Sequence, residues 1–254
     1  MNVNSNNIST IVDSLKSEGI DCHLIETNQY PYIPSEDVLL ELCTRLACSQ
    51  IRSVILQGPP GTGNTSLVRY LANFLKSSSS SELREAIILS IDVASILAGS
   101  EYRGSFEKKV IKMLDYCSEF DNLIIFLDEA HCLSNTGFKD GIGMMDILKP
   151  RMIGTKLRLI LATTDEEVQG LNNDKAFMRR VHSIRVKPLS NANKKTACIG
   201  HINHLIEQHD LNSDAKQVAI DVDLEKLIDC EEDLHLVVDK IDFYLAGVKV
   251  NARF

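Results

Sequence analysis

The stretch GPPGTGNT at residues 58–65 has the spacing of a phosphate-binding loop. It follows the apolar run 53–57, which predicts a strand, and it precedes a helical pattern at 65–76. In that setting, successive backbone N–H groups and the helix N-terminus can point at phosphate oxygens. We expect the loop to hold a nucleotide, with the hydroxyl of Thr65 on Mg²⁺, through Gly58, Pro59, Pro60, Gly61, Thr62, Gly63, Asn64, Thr65 and Ser66.

Asn64 occupies the position at which the phosphate-loop pattern has a lysine. Asparagine is neutral and too short to reach the β- and γ-phosphates, and Arg69, about one helical turn further on, is a weak substitute. A hydrogen bond to a charged group is worth about 1.5–3 kcal/mol, so we expect nucleotide affinity to fall about 10- to 100-fold. Three interpretations stay open: a naturally degenerate site, a site that binds nucleotide and hydrolyses slowly, or an introduced substitution that disables the site.

An acidic pair, Asp128 and Glu129, follows the very apolar run 123–127. At the tip of a strand, Asp128 could hold Mg²⁺ through water, and Glu129 could orient or deprotonate an attacking water. His131 and Cys132 come next and resemble a metal-ligating pair. Two ligands do not make a metal site, so we interpret these two residues as packing residues.

The order of elements predicts an α/β fold. Apolar strands at 53–57, 86–92, 123–128, 157–162 and 183–186 alternate with helices, which indicates a five-stranded parallel sheet covered on both faces. Further helical patterns occupy 8–15, a segment that begins at Ser35, 106–116, 191–209, 224–227 and 234–245. We divide the chain into an N-terminal extension (1–30), a large α/β subdomain (31–189) and a small helical lid subdomain (190–254).

Composition restricts the class of protein. The 254 residues are 44% hydrophobic and carry a net charge of −8, which excludes global disorder and argues against a protein that mainly grips nucleic acid. The seven cysteines are scattered without zinc-finger or CxxC spacing, as expected in a reducing compartment. No apolar run is long enough for a membrane span. We therefore expect a soluble, cytoplasmic protein.

Six stretches in order resemble the AAA+ ATPases, and specifically the first nucleotide-binding domain of ClpA/ClpB-type unfoldases. They cover most of the chain between Tyr32 and Ser190 and lie at residues 58–65, 98–107, 126–131, 146–150, 161–167 and 174–181. The resemblance implies ATP or ADP with Mg²⁺ as cofactor, bound by a P-loop NTPase fold with a helical lid. It also implies assembly into an oligomer of AAA+ modules that acts on protein partners.

The resemblance also assigns roles to single residues. Thr164 would be the sensor on the fourth strand, close to the γ-phosphate or the attacking water. Arg179 and Arg180 would be arginine fingers presented to the nucleotide of a neighbouring subunit. Ile33 would lie near the adenine, and Tyr102 would contact a translocating polypeptide in a central pore.

These observations predict an AAA+ ATPase-like module that binds ATP or ADP with Mg²⁺ and acts in a protein-remodelling or macromolecular assembly. Asn64 should weaken hydrolysis at its own site, while Arg179 and Arg180 could serve a neighbour. Two alternatives remain: an active ATP-driven unfoldase, and a catalytically dead scaffold that uses the fold for binding alone.

Overall fold

The computed structural model describes residues 8–25, 34–77, 83, 85–97, 103–135, 143–208, 228 and 234–251. Two predicted site residues, Ile33 and Tyr102, lie outside the described residues, as does the predicted helix at 224–227. Across the described ranges, no helix is both long and apolar enough to span a membrane.

The centre of the fold is a six-stranded sheet in the order β1-β3-β4-β5-β2-β6. Neighbouring strands are parallel except for β1, which pairs antiparallel with β3. The strands are β1 (Cys22–Leu24), β2 (Ser53–Gly58), β3 (Ile87–Ile91), β4 (Leu123–Leu127), β5 (Arg158–Thr164) and β6 (His182–Arg185).

The prediction of five strands was wrong by one, because β1 adds an edge strand. This strand has only three residues, Cys22, His23 and Leu24, and three residues show no hydrophobic period that a sequence pattern could reveal. Its pairing partner is β3, with Cys22 opposite Ile91. The other five strands lie where the apolar runs predict them, so the predicted α/β class is confirmed.

Ten α-helices are found in the described part of the chain. They are α1 (Ile8–Ser17), α2 (Glu36–Ala47), α3 (Asn64–Ser77), α4 (Val93–Leu97), α5 (Arg103–Ser118), α6 (Met144–Leu148), α7 (Val168–Asn172), α8 (Lys175–Met178), α9 (Asn191–Gln208) and α10 (Leu234–Asn251). Two short 3₁₀ helices, at Ala130–Asn135 and Lys149–Arg151, complete the connections.

Both faces of the sheet are buried, which explains why its strands are continuously apolar. Along β4, Ile125 and Leu127 pack into one core together with residues of α1 and α5. The alternate residues Ile124 and Phe126 pack into a second core together with residues of α2 and α3. Successive side chains of a strand point to opposite faces, so every residue of β4 has a helical layer to pack against.

The strand order brings three chemically important loops to one edge of the sheet. β5 lies between β2 and β4, and all three strands are parallel, so their carboxyl ends share an edge. The register aligns Gly58 with Thr164 across the β2–β5 pair. The loops after Gly58, Leu127 and Thr164 therefore converge, although they are far apart in sequence.

Helices α9 and α10 share a small core of their own. Cys198, Ile202 and Ile206 of α9 pack with Val237 and Ile241 of α10, all of them buried. The proposed subdomain boundary at residue 190 stays a prediction.

Helix α2 offers a matched test of the second core. Leu42 is completely buried against the sheet, whereas Leu40 on the same helix is 68% exposed. We predict that Leu42→Ala lowers the free energy of unfolding by about 2–5 kcal/mol, because it removes buried contacts and leaves a cavity. Leu40→Ala should change it by less than about 0.5 kcal/mol. Urea denaturation followed by circular dichroism measures both, and equal losses would contradict the packing described for α2.

Candidate nucleotide-binding site

The predicted phosphate-binding loop adopts a tight turn between β2 and α3. Gly61 and Gly63 have φ angles of 75° and 89°, a left-handed region that side chains with a Cβ rarely adopt. Thr62 is buried, and its hydroxyl donates to the carbonyl of Pro59 at 2.9 Å. The turn is thus held by its own residues and leads directly into the N-terminus of a 14-residue helix.

Thr65 and Asp128 meet across the site. The Thr65 hydroxyl donates to Asp128 Oδ2 at 2.7 Å, joining the start of α3 to the tip of β4. Both residues were predicted from sequence as Mg²⁺ ligands. A hydroxyl and a carboxylate oxygen this close together form the hard-oxygen donor pair that Mg²⁺ prefers.

Asn64 is bonded to a neighbouring strand. Its Nδ2 donates to the backbone carbonyl of Thr163 at 3.0 Å, and its Oδ1 is buried without a hydrogen-bond partner among the described residues. The side chain that stands at the lysine position therefore faces the end of β5. One hydrogen of its amide group therefore already has an acceptor within the chain.

Glu129 has a strained backbone. Its φ is +50°, which is uncommon for a residue with a side chain and costs about 1–3 kcal/mol. The backbone N–H of Glu129 donates to Asp128 Oδ1 at 3.0 Å, and the Glu129 carbonyl accepts from the N–H of Cys132 at 2.9 Å. The turn leaves the Glu129 side chain exposed at the edge where the three loops converge.

Thr164 and Glu167 are joined by reciprocal hydrogen bonds at the end of β5. The Thr164 hydroxyl donates to Glu167 Oε2 at 2.8 Å, and the Glu167 N–H donates back to Thr164 Oγ1 at 3.2 Å. The bond from the Thr164 hydroxyl stabilises the carboxylate and is the main reason why the pKa of Glu167 lies below its usual value. In this arrangement the hydroxyl proton of Thr164 points at Glu167.

His131 and Cys132 lie beside these acids. Cys132 Sγ is 3.5 Å from His131 Nε2, and His131 Nδ1 is 3.3 Å from Glu167 Oε2. Burial raises the pKa of the Cys132 thiol, and the nearby charges of Glu129 and Glu167 raise it further. Cys132 packs against the first core, in line with its interpretation as a packing residue, and both side chains also lie beside the acids Glu129 and Glu167.

Together these residues line an open pocket of about 280 Å³, which we call the loop pocket. It brings together the predicted loop residues 59–66, Asp128, Glu129 and Thr164, and adds Thr163 and Glu167. Arg69 lines a different depression, beside α1, so it does not replace the lysine. Arg179 and Arg180 do not line the loop pocket either.

The segment that carries Arg179 and Arg180 is held in place by hydrogen bonds to Asp174 at the start of α8. Asp174 caps α8 by accepting the Phe177 N–H at 2.9 Å, and Lys149 Nζ donates to its other oxygen at 2.7 Å. The bond from Lys149 is the main reason why the pKa of Asp174 is lowered. Arg180 folds back and donates to the carbonyl of Ala176, whereas the Arg179 side chain is exposed. Of the two arginines, Arg179 is therefore better placed to reach another molecule.

The donor set of the loop pocket fits a nucleotide with Mg²⁺. The loop presents glycine-rich backbone at a helix N-terminus, the arrangement that favours phosphate oxygens. Thr65 and Asp128 supply the oxygen pair for the cation. The charge of the pocket fits a nucleotide poorly. None of the residues lining the pocket is a lysine or arginine that could neutralise phosphate, and three of them are acidic.

Comparison with known proteins agrees with this geometry. The family model described as "ATPase family associated with various cellular activities (AAA)" matches residues 54–189. This stretch is more than half of the chain, and it contains the loop, the acidic pair, Thr164 and both arginines. The chain belongs to the AAA family.

Within the family, the chain is similar to Clp-type AAA+ modules. ClpB of Aquifex aeolicus is 38% identical over 135 residues, which cover 52% of this chain and 13% of ClpB. ClpB of Lactiplantibacillus plantarum is 31% identical over 190 residues, covering 72% of this chain and 22% of ClpB. The structure of Hsp104 of S. cerevisiae in complex with casein matches with a TM-score of 0.74 and 25% identity, over 91% of this chain and 41% of the Hsp104 chain.

This AAA chain therefore spans less than a quarter of the length of the two ClpB relatives. Thr163 and Glu167 are the residues of its pocket that sequence reasoning missed. For Glu167 a signal was present, since Thr164 and Glu167 have a T-x-x-E spacing, which allows reciprocal hydrogen bonds, here in the turn that precedes α7.

The Thr164–Glu167 pair of the AAA pocket generates a prediction. Replacing Thr164 with valine removes the hydroxyl that donates to the Glu167 carboxylate, so the pKa of Glu167 should rise towards its ordinary value. Because the pKa of Glu167 is depressed in the folded state, the stabilisation is present above its unfolded pKa. That stabilisation is lost as the pH falls through the depressed value.

NMR titration of the Glu167 side-chain carbon in the unmodified chain and in Thr164→Val measures the change in pKa. Thr44→Val is the matched control, since the Thr44 hydroxyl donates to the Leu40 carbonyl on helix α2 and does not line the loop pocket. An unchanged Glu167 titration in Thr164→Val would contradict the assignment.

Proposed function

We propose that this chain is a nucleotide-binding AAA+ module of a protein-remodelling assembly, and that Asn64 weakens hydrolysis at its own site. ATP or ADP with Mg²⁺ would bind in the loop pocket. The observation that carries the proposal is the convergence of the loop, the Thr65–Asp128 pair and Glu129 at one edge of the sheet, beside an Asn64 amide that is bonded to Thr163.

Charge is the reason to expect weak binding and poor hydrolysis. A triphosphate brings several negative charges into a pocket lined by Asp128, Glu129 and Glu167, with no lysine or arginine in the lining. A lysine at position 64 would offset this repulsion and reach the outer phosphates. Asn64 adds no charge, and its amide is already bonded to Thr163.

The remaining residues support slow chemistry at this site. ATP with Mg²⁺ supplies the phosphoryl group that is transferred to water. Glu129 is exposed at the pocket edge and could accept a proton from an attacking water. Thr65 and Asp128 would hold the cation. Thr164 could turn its hydroxyl towards the reaction only by releasing Glu167.

Arg179 suggests a second role, which is to complete the site of a neighbour. The guanidinium is exposed, lies outside its own loop pocket and is carried by a capped, ion-paired segment. A planar, permanent cation stabilises charge on a transferring phosphoryl group. We assign this role to Arg179 first and to Arg180 second. Ile33 near the adenine and Tyr102 as a contact for polypeptide complete the proposal.

The protein-remodelling context comes from the relatives. ClpB is a chaperone by name, and the Hsp104 structure holds casein. We transfer to this chain the general role of acting on protein partners in an oligomer. An active unfoldase is the second candidate, favoured by the complete Thr65, Asp128 and Glu129 set. A scaffold without nucleotide is the third.

Restoring the lysine is the decisive experiment. We predict that Asn64→Lys raises the affinity for ATP with Mg²⁺ about 10- to 100-fold, because the ammonium adds a charged hydrogen bond of about 1.5–3 kcal/mol. It should also raise the rate of hydrolysis. Isothermal titration and a phosphate-release assay measure the two effects. Asn64→Met is the matched control, since it also removes the bond to Thr163 and adds length without charge.

The outcomes separate the candidates. Weak nucleotide binding by the natural chain that tightens only in Asn64→Lys supports the proposal. Rapid turnover by the natural chain that vanishes in Glu129→Gln supports the active unfoldase. If neither protein binds nucleotide at millimolar concentration, the scaffold remains and our roles for Asp128, Glu129 and Thr164 are wrong.

A mixing experiment tests Arg179. We predict that the double variant Asn64→Lys/Arg179→Ala binds ATP as tightly as Asn64→Lys but hydrolyses it at least about 10³-fold more slowly, the typical effect of losing an arginine finger. Adding the natural chain, which has Arg179, should restore turnover in mixed oligomers. Arg45→Ala, which removes a half-buried arginine of α2 that pairs with Glu41, is the control. If mixing does not restore turnover, Arg179 does not act at the site of a neighbouring chain. A chain that stays monomeric in sedimentation experiments with nucleotide would contradict the role equally.

A further inference from the structure

The rim of the loop pocket holds three different metal-ligating side chains in one place. Oxygen of Glu129, nitrogen of His131 and sulfur of Cys132 all lie within 4.8 Å of one another. The sequence alone suggested only the His131–Cys132 pair. The left-handed backbone at Glu129 and the following 3₁₀ helix bring the third ligand alongside.

The spacing of these atoms fits a tetrahedral zinc site. Zn–S and Zn–N bonds of about 2.3 and 2.0–2.1 Å at a tetrahedral angle place sulfur and nitrogen about 3.6 Å apart. The observed separation of Cys132 Sγ and His131 Nε2 is 3.5 Å. A carboxylate oxygen of Glu129 lies within 4.8 Å of the other two ligand atoms, and the side chain is exposed and free of the core, so it can serve as the third ligand.

A second observation concerns the other nitrogen of the same imidazole. His131 Nδ1 is fully buried and makes no well-aligned hydrogen bond to any part of the chain that the structure describes. The carboxylate oxygen Oε2 of Glu167 lies 3.3 Å from it. Histidines that bind metals commonly direct their second nitrogen at a carboxylate, which fixes the tautomer that leaves Nε2 free to coordinate.

The backbone pre-organises the cluster. The N–H of Cys132 donates to the carbonyl of Glu129 at 2.9 Å, so the ligands are held on a single turn. The neighbours Ala130 and Leu133 are buried in the core, which fixes the side of the turn that faces the pocket. A metal would therefore meet ligands that need little further ordering.

We propose that Glu129, His131 and Cys132 form a zinc site, with Glu167 positioning His131 and the fourth coordination position open. One Zn²⁺ binds per chain, to a thiolate, an imidazole nitrogen and a carboxylate oxygen, with release of the thiol proton to solvent. Zinc holds the Glu129 carboxylate away from the nucleotide. The site stands on its own geometry and does not require the proposed nucleotide chemistry.

Metal titration of the nucleotide-free protein tests the site. The probes are Zn²⁺ in competition with a chromogenic chelator, and Co²⁺ alone as a spectroscopic substitute, in a buffer with a non-thiol reductant. We expect one metal per chain and a near-ultraviolet charge-transfer band from thiolate to Co²⁺. Cys132→Ser should abolish the band and weaken Zn²⁺ binding by more than 100-fold. Far-ultraviolet circular dichroism establishes that this near-isosteric variant is folded.

Two further variants make the test specific. Cys48→Ser removes a thiol that bonds the Thr44 carbonyl on α2, and it should leave the band and the Zn²⁺ affinity unchanged. Glu167→Gln should keep the band but weaken Zn²⁺ about 10- to 100-fold, the usual cost of losing a residue that orients a ligand.

The proposal is overturned if no metal binds at one equivalent. It is equally overturned if Cys132→Ser retains the band while folded, since the metal then lies at other residues. A Glu167→Gln affinity equal to that of the natural chain would remove Glu167 from the site. None of these readouts depends on ATP, so failure of the zinc site is distinguishable from failure of the proposed function.

Discussion

The parallel pairing of β5 between β2 and β4 is the constraint on which the rest of the structure depends. It places Gly58 beside Thr164 and Leu127 beside Leu161, so that loops far apart in sequence share one edge. The cores on both faces of the sheet make this order stable, since each strand buries alternate side chains against different helices. The direct Thr65–Asp128 bond follows from the strand order.

Charge distinguishes this edge from an ordinary phosphate site. The pocket places three carboxylates around the loop. At the position where a phosphate loop has a lysine, this chain has the neutral amide of Asn64. Such a pocket disfavours a polyanion and favours a cation. The same set of residues therefore supports a weakened nucleotide site and a candidate zinc site at its rim, and Glu129 belongs to both.

Much of this fold could be predicted from the sequence, because buried parallel strands are continuously apolar and the phosphate loop has a fixed spacing. Strand β1 could not be predicted, since three residues at a sheet edge carry no periodic signal. The roles of Glu167 and Thr163 also required the structure. The spacing of Thr164 and Glu167 hints at their hydrogen bond, but only the fold brings the His131 imidazole to Glu167. Thr163 acts through its backbone carbonyl, which is the same chemical group in every residue.

The bond from Asn64 to Thr163 has a consequence for the chain without ligand. A lysine at this position would put a charged ammonium on the loop, beside the three carboxylates of the pocket. The neutral amide instead joins the first turn of α3 to the end of the adjacent strand β5 by a direct hydrogen bond. The start of α3 is in this respect held by the chain's own atoms, and its position does not depend on a phosphate group.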